Sequence, residues 1–332
     1  MRRPISPIKR LLLLALVISL LLAGTTGFYA LRPLAMPSLP FEFSLKKGTS
    51  LKGTARQMHQ AGLLQHEQIF VWMGRLLGRA GRIKSGNYQL ESAVSPLELL
   101  NIVSEGRVSQ SSISIIEGST FKQMRALLDA DPDLRHDSAG MPEAEILQRV
   151  GATEQQAEGL FFPDTYNFAS GVSDLTIFKR AYQTMQRHLQ ESWQQRAAGL
   201  PLQTPYQALI LASIVEKETG QARDRSMIAG VFINRLRRGM LLQTDPTVIY
   251  GLGEKFDGNL RKRDLLADTP YNTYTRAGLP PTPIALPGLA ALQATLHPAS
   301  TDALYFVARG DGSSEFSESL SQHNRAVNKY QK

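Results

Sequence analysis

The chain has 332 residues and no cysteine. Disulfides, thiol nucleophiles and cysteine-ligated zinc or iron–sulfur centres are therefore excluded. The compartment stays open, because exported proteins also lack cysteine. Histidine is scarce, at six residues. His297 and His323 tempt a metal reading, but each stands without a ligand cluster, so neither metal nor cofactor is expected. Tracts of lysine and arginine interleaved with aromatics are also missing. The formal net charge is +8, yet Arg2, Arg3, Lys9 and Arg10 precede every acidic residue and the remainder is only mildly basic. Nucleic acid is thus not an expected partner, whereas anionic lipid or an acidic polymer fits the charge.

What the chain does have is one long apolar run. Leu11–Leu31 carries no charge, and a spanning helix needs about 20 apolar residues. A cleaved signal peptide would share the basic start and apolar core, but its small-x-small cleavage site would read Ala-x-Ala, which is absent. The expectation is an uncleaved single-pass anchor over 11–31. Residues 1–10 would lie in the cytoplasm and residues 32–332 outside. Three prolines in Arg32–Pro40 read as a stiff linker.

Beyond the linker the hydrophobic content of 42% suffices for a buried core. A strand, a turn and a capped helix recur in "FSLKKGTSLKGTARQM", "GNYQLESAVSPLELLNIV" and "SISIIEGSTFKQMRALL", with Ser50 or Thr49, Ser95 and Ser119 or Thr120 as N-caps and Pro96 at a first helical position. Residues 134–158 read as polar and loop-helical. Residues 174–198 follow a 3.6-residue period, helical segments flank Gly220 between Pro205 and Leu236, Ala303–Gly310 reads as a strand, and Ser319–Lys329 as a short helix. The fold class is α+β.

"LASIVEKETG" places Glu216 and Glu218 two positions apart. On one helix such residues diverge by about 200°, so they cannot serve one pocket. Leu211, Ile214, Val215 and Glu218 lie at i, i+3, i+4 and i+7, a single apolar face. A carboxyl beside buried aliphatics resists ionising, the property of a general acid at neutral pH. Glu218 is the candidate acid and Glu216 a structural group. The alternative is a solvated Glu218, or one paired with Arg223 or Arg235.

The motifs "ASIVEKET", "VFINRLRRGMLLQTDPTVIYG", "PYNTYTRAGLPPTPIALPG" and "LYFVARGDGSSEFSESLSQHN" occur in that order, with "EGLFFPDTY" upstream. Together they resemble the endolytic murein transglycosylases of the YceG-like family, over Pro40–Lys332. The resemblance implies an anchor in the inner membrane, a small LysM-like α+β domain (41–107) and a mixed α+β catalytic domain (108–332) with the catalytic glutamate, Glu218, at a helix end. It implies cleavage of the MurNAc–GlcNAc β-1,4 bond within nascent glycan strands to give 1,6-anhydroMurNAc ends, ending strand elongation. Its expected partners are peptidoglycan glycan strands, the cytoplasmic membrane and peptidoglycan synthases.

Gln243, Asn234 and Asn272 are amides suited to N-acetyl and hydroxyl groups, and Tyr250, Tyr271 and Tyr274 suit stacking on sugar faces. Asp245 either orients a group in the cleft or makes an Asx turn before Pro246. Asn234–Arg235 could instead pair locally. Two rival readings stay open: a non-catalytic cell-wall scaffold, and a hydrolase whose second carboxylate would be Asp245 or Asp164.

Overall fold

The computed structural model describes residues 7–37, 41–90, 92–106 and 110–331. Two compact units emerge, Met1–Ser111 with Asn167–Gly171, and Ser112–Tyr166 with Val172–Lys332. The expected boundary at 107/108 falls on residues outside this description.

The first unit opens with helix α1 (Pro7–Leu31). The expected anchor lies on it, but many of its side chains before Gly24 are outside the described residues. Among the described residues no helix is long and apolar enough to cross a membrane. Strand β1 (Phe41–Leu45) follows, then α2 (Leu51–Gln60), α3 (Glu67–Leu76), β2 (Gly86–Leu90) and α4 (Pro96–Glu105). In β1 the alternation is literal: Phe41, Phe43 and Leu45 are buried and the residues between them exposed, as a period of two requires. β1 pairs with β2 antiparallel, setting Phe43 opposite Tyr88 with rings stacked at 5.1 Å. Ser50 and Ser95 cap α2 and α4 by accepting from Gly53 N–H and Glu98 N–H, and Pro96 opens α4. Ala30, Leu34 and Met36 pack on this unit's core, so the end of α1 is docked on it.

The second unit is mainly helical. β3 (Gln110–Ser114) leads into it, followed by α5 (Phe121–Asp129), β4 (Leu134–Arg135), α6 (Glu143–Val150), β5 (Thr165–Ala169), β6 (Val172–Ser173) and α7 (Asp174–Gln194). Thr120 closes a full capping box with Gln123 at the start of α5. Then come α8 (Pro205–Glu218), α9 (Ala222–Arg237), α10 (Asp245–Leu252), α11 (Lys262–Leu266), α12 (Leu289–Leu296), β7 (Tyr305–Ala308), β8 (Ser314–Ser317) and α13 (Leu320–Tyr330). Among the described residues its strands pair two by two, β3 with β5, β4 with β6 and β7 with β8.

The layer that carries the candidate site is helical. α8 lies among α7, α9 and α12 and is buried at every position from Ala208 to Val215. A helix buried all round must be apolar all round. Its one interior hydroxyl, Ser213, donates to Ile210 C=O and accepts from Ile284 N–H, so this buried hydroxyl is satisfied as a donor and as an acceptor.

Candidate active site

Thr204 caps α8 by accepting from Gln207 N–H, with Pro205 in the first turn. The helix stops at Glu218, because Thr219 turns to extended backbone (φ −149°, ψ 134°). A carboxyl here meets the negative end of the helix dipole. It is also partly withdrawn from water, and burial pushes its pKa up to about 7. The Thr244 hydroxyl donates to Glu218 Oε1 and opposes that rise, the Asp245 carboxylate adds to it, and the Arg235 cation opposes it.

Glu216 takes another direction. Its Oε2 accepts from Gly288 N–H at 2.9 Å, at the start of α12, and Arg225 lies 3.8 Å from its Oε1. Burial raises its pKa too. The two glutamates diverge as the helical period requires, one toward α12 and one toward α10.

Thr244 is held in place by two other buried threonines. Its N–H donates to Thr273 Oγ1 at 3.1 Å, its C=O accepts from Thr247 Oγ1 at 2.7 Å, and the Thr247 and Thr273 hydroxyls are 2.9 Å apart. Thr244 occupies the N-cap of α10 without making a side-chain cap, since its hydroxyl serves Glu218. The preceding residue, Gln243, has φ 48°. That is a left-handed conformation costing a non-glycine residue roughly 1 kcal/mol, held by a bond from its N–H to Thr273 C=O. Sequence reasoning passed over Thr244, since a threonine before Asp-Pro reads as an ordinary cap.

The other expected site residues divide into three groups. Gln243, Asp245 and Tyr274 gather near Glu218: Asp245 and Gln243 are exposed, and Tyr274 donates its O–H to Asp245 Oδ1 at 2.5 Å. Tyr250 and Tyr271 form an edge-to-face pair at 4.9 Å, with Tyr271 bonded to Thr282 and Tyr250 donating to Glu158 Oε2 at 3.1 Å. The two asparagines are occupied by the protein itself. Asn272 is 1% exposed; its amide donates to the carbonyls of Asp264, Leu265 and Ala267 and accepts from Tyr274 N–H. Asn234 donates to Thr301 and Ala303 C=O. Both amides thus tie loops of the protein together. Arg235, beside Asn234, is a buried guanidinium held by the carbonyls of Leu304 and Leu242 at 2.7 and 2.8 Å.

Glu158 was not anticipated. It is buried, accepts from Phe121 N–H and from Tyr250, and burial lifts its pKa to about 7. Asp164 belongs elsewhere, on an open groove with Tyr166, Arg180, Arg187 and His188. Among the described residues Asp129, His136 and Asp174 lie close enough to share a metal ion. Asp174, however, already accepts from Ser138 N–H, Ser138 Oγ and Leu175 N–H, which suits a structural cap.

Gly159, next to Glu158, sits at φ +80°, and a Cβ there would lie 2.4 Å from Pro283 Cβ. Proline cannot swing aside, so Gly159→Ala is expected to cost about 3 kcal/mol from overpacking and backbone strain together. Urea unfolding followed by circular dichroism measures it; a loss below about 0.5 kcal/mol would show that the contact relaxes freely.

The profile of the YceG-like family matches residues 43–329. The chain is 30% identical over 304 residues to the endolytic murein transglycosylase of Bacillus subtilis (strain 168), covering 86% of this chain and 84% of that one. It is 26% identical over an alignment of 356 residues to the endolytic murein transglycosylase of Streptococcus pneumoniae serotype 2 (strain D39 / NCTC 7466), covering 95% of this chain and 64% of that longer one. The crystal structure of a putative YceG-like protein from Listeria monocytogenes superposes with a TM-score of 0.54 at 29% identity, covering 86% of this chain and 98% of the other.

Proposed function

The chain belongs to the YceG-like family, and from that premise we propose how it acts: it is a peptidoglycan lytic transglycosylase, and Glu218 is the acid that opens the glycosidic bond. The observation that carries this is a carboxyl at the end of a buried helix, held protonated up to about pH 7 and fixed by a buried hydroxyl.

Glu218 gives its proton to the oxygen between MurNAc C1 and the next GlcNAc, and that bond breaks. The MurNAc C6 hydroxyl attacks the oxocarbenium-like C1 from within the same sugar, its proton returns to Glu218, and a 1,6-anhydro ring results. One carboxyl serves first as acid and then as base, and no second reactant has to be brought in. Arg235 supports the ionised interval: its guanidinium is anchored by carbonyls and lowers the cost of charge on Glu218. Exposed Gln243 and Asp245, with Tyr274, are the groups assigned to sugar contact, and Tyr250 and Tyr271 to stacking. Digestion of purified peptidoglycan tests the reading: mass spectrometry is expected to find new ends about one water lighter than hydrolysis products. Intact strands would leave only a binding scaffold.

Around this chemistry we place a single-pass inner-membrane anchor at 11–31 with residues 1–10 in the cytoplasm, a LysM-like domain at 41–107 and a periplasmic catalytic domain that works beside peptidoglycan synthases. The uncharged run and the basic residues before it support the anchor.

Thr244 supplies a finer test. Its hydroxyl favours ionised Glu218, so Thr244→Val raises the Glu218 pKa and keeps the acid protonated to higher pH. The alkaline limb of the rate profile is expected to move up while the rate at the optimum drops roughly tenfold, the worth of one hydrogen bond to a charged group. A rate profile on synthetic strands whose alkaline limb stays put would remove Thr244 from the proton chemistry.

A further inference from the structure

One helix end in the first unit is apolar without a protein cover. On α3, Trp72 is 63% exposed, Leu76 79% and Leu77 50%. Trp72 and Leu76 are four apart and share a face, while Phe70, Met73 and Gly74 on the opposite side fill the core. Single exposed apolar residues are ordinary; three large ones within six positions form a patch that calls for a ligand.

The neighbour of this patch identifies the ligand. A shallow apolar groove is lined by Leu76, Leu77 and Met73 on one side and by Gly27 and Ala30 of α1 on the other. The free end of α3 thus lies level with the last turn of the uncharged run Leu11–Leu31. Gly27 is four residues before the end of that run, about 6 Å along a helix axis, within the 5–10 Å to which interfacial helices sink their apolar face. Phe28 and Leu31 are exposed on the same turn of α1. The charges agree with the placement. Arg75 lies over the Trp72 ring, Arg32 over Phe28, and Arg75 and Arg82 are exposed, while Arg79 faces Glu105 at 3.6 Å. Arginines rimming a tryptophan and leucine face suit an anionic headgroup layer.

We propose that the C-terminal end of α3 is a membrane-docking surface: Trp72, Leu76 and Leu77 enter the headgroup–acyl boundary of the bilayer that α1 crosses, and Arg75 and Arg82 meet lipid phosphates. This rests on the anchor reading and adds a second, lateral attachment to it. With α1 docked on the core of this unit, the unit lies against the bilayer instead of swinging from a tether.

The test uses the full-length chain in vesicles of phosphatidylethanolamine and phosphatidylglycerol, with or without acyl chains brominated near the headgroup. Trp72 fluorescence is isolated by subtracting the spectrum of Trp72→Phe, a substitution at an exposed site that leaves Trp193 in both samples. The Trp72 emission is expected to be blue-shifted and quenched at least twofold by bromine. Leu76→Glu is expected to restore water-like, unquenched emission while the protein still floats with the vesicles. Flotation with unquenched Trp72 in the parent chain overturns the docking surface, keeps the anchor and hands the face to a protein partner. Loss of flotation overturns both.

Discussion

Replacing Glu218 by glutamine is expected to lower strand cleavage by at least about a thousandfold, within the range a positioned general acid contributes, and to leave the fold intact. The amide matches the carboxyl in shape and can still accept from Thr244, but it has no proton to give the leaving oxygen. Glu216→Gln is the internal control. Its carboxyl serves Gly288 N–H and Arg225, so the variant is expected to lose stability first and activity less than tenfold. Glu218 also has a signature in pH. Glu218 ionises near 4.5 in the unfolded chain and at about 7 in the folded one. Between those values the folded chain keeps a proton that the unfolded chain has lost, so this residue's contribution to stability falls as pH rises through the window. Above pH 7 Glu218→Gln is therefore expected to be more stable than the parent by about 2 kcal/mol, a figure already reduced for the partial exposure of the site. Strand cleavage and denaturant titrations at pH 5 and pH 8 check both statements. Equal activity losses in the two variants would sink the assignment of the acid.

Digestion in oxygen-18 water is expected to leave the label out of every new MurNAc end. An intramolecular trap takes the C6 oxygen of the same sugar, whereas a hydrolase must place solvent oxygen on C1. The structure makes this contest real, because hydrolysis needs a second carboxylate and Asp245 is near enough to raise the Glu218 pKa. Asp245, however, accepts the Tyr274 O–H, and Asp164 belongs to a different groove. Label in most fresh ends would reject the transglycosylase route even with Glu218 essential. Early products are expected to be mid-length strands; disaccharides from the first time point would point to a cleft closed at one end.

Local signals in the sequence translated well where one residue does one job. Ser50, Ser95 and Thr120 cap the helices they were expected to start, and the break at Gly220 separates α8 from α9. Helices without a polar face were harder. α12 is "LAALQATL", buried on most sides, so no period of 3.6 shows. In α3 the run from Ile69 to Met73 is apolar throughout, because Trp72 adds an outward hydrophobe to the inward set. At the candidate site the divergence of Glu216 and Glu218 followed from helix geometry alone. The roles of Thr244, Glu158 and Asn272 did not, since each depends on a partner distant in the chain: Glu218, Phe121 with Tyr250, and the carbonyls of 264–267. Residue type says that Asn272 can donate, and only the fold says that its donors are taken.

The first unit borrows Asn167–Gly171 from the middle of the second, and Asn87 donates its side-chain amide to Ser170 C=O. Domains tend to fold N-terminal first as the chain is made, yet here the earlier unit stays unfinished until residue 171 has emerged from the ribosome. By then the second unit has been interrupted partway, so neither is completed strictly before the other. A cut at residue 111 would not release a finished N-terminal fragment but one missing its last five residues, so the two units are one assembly task.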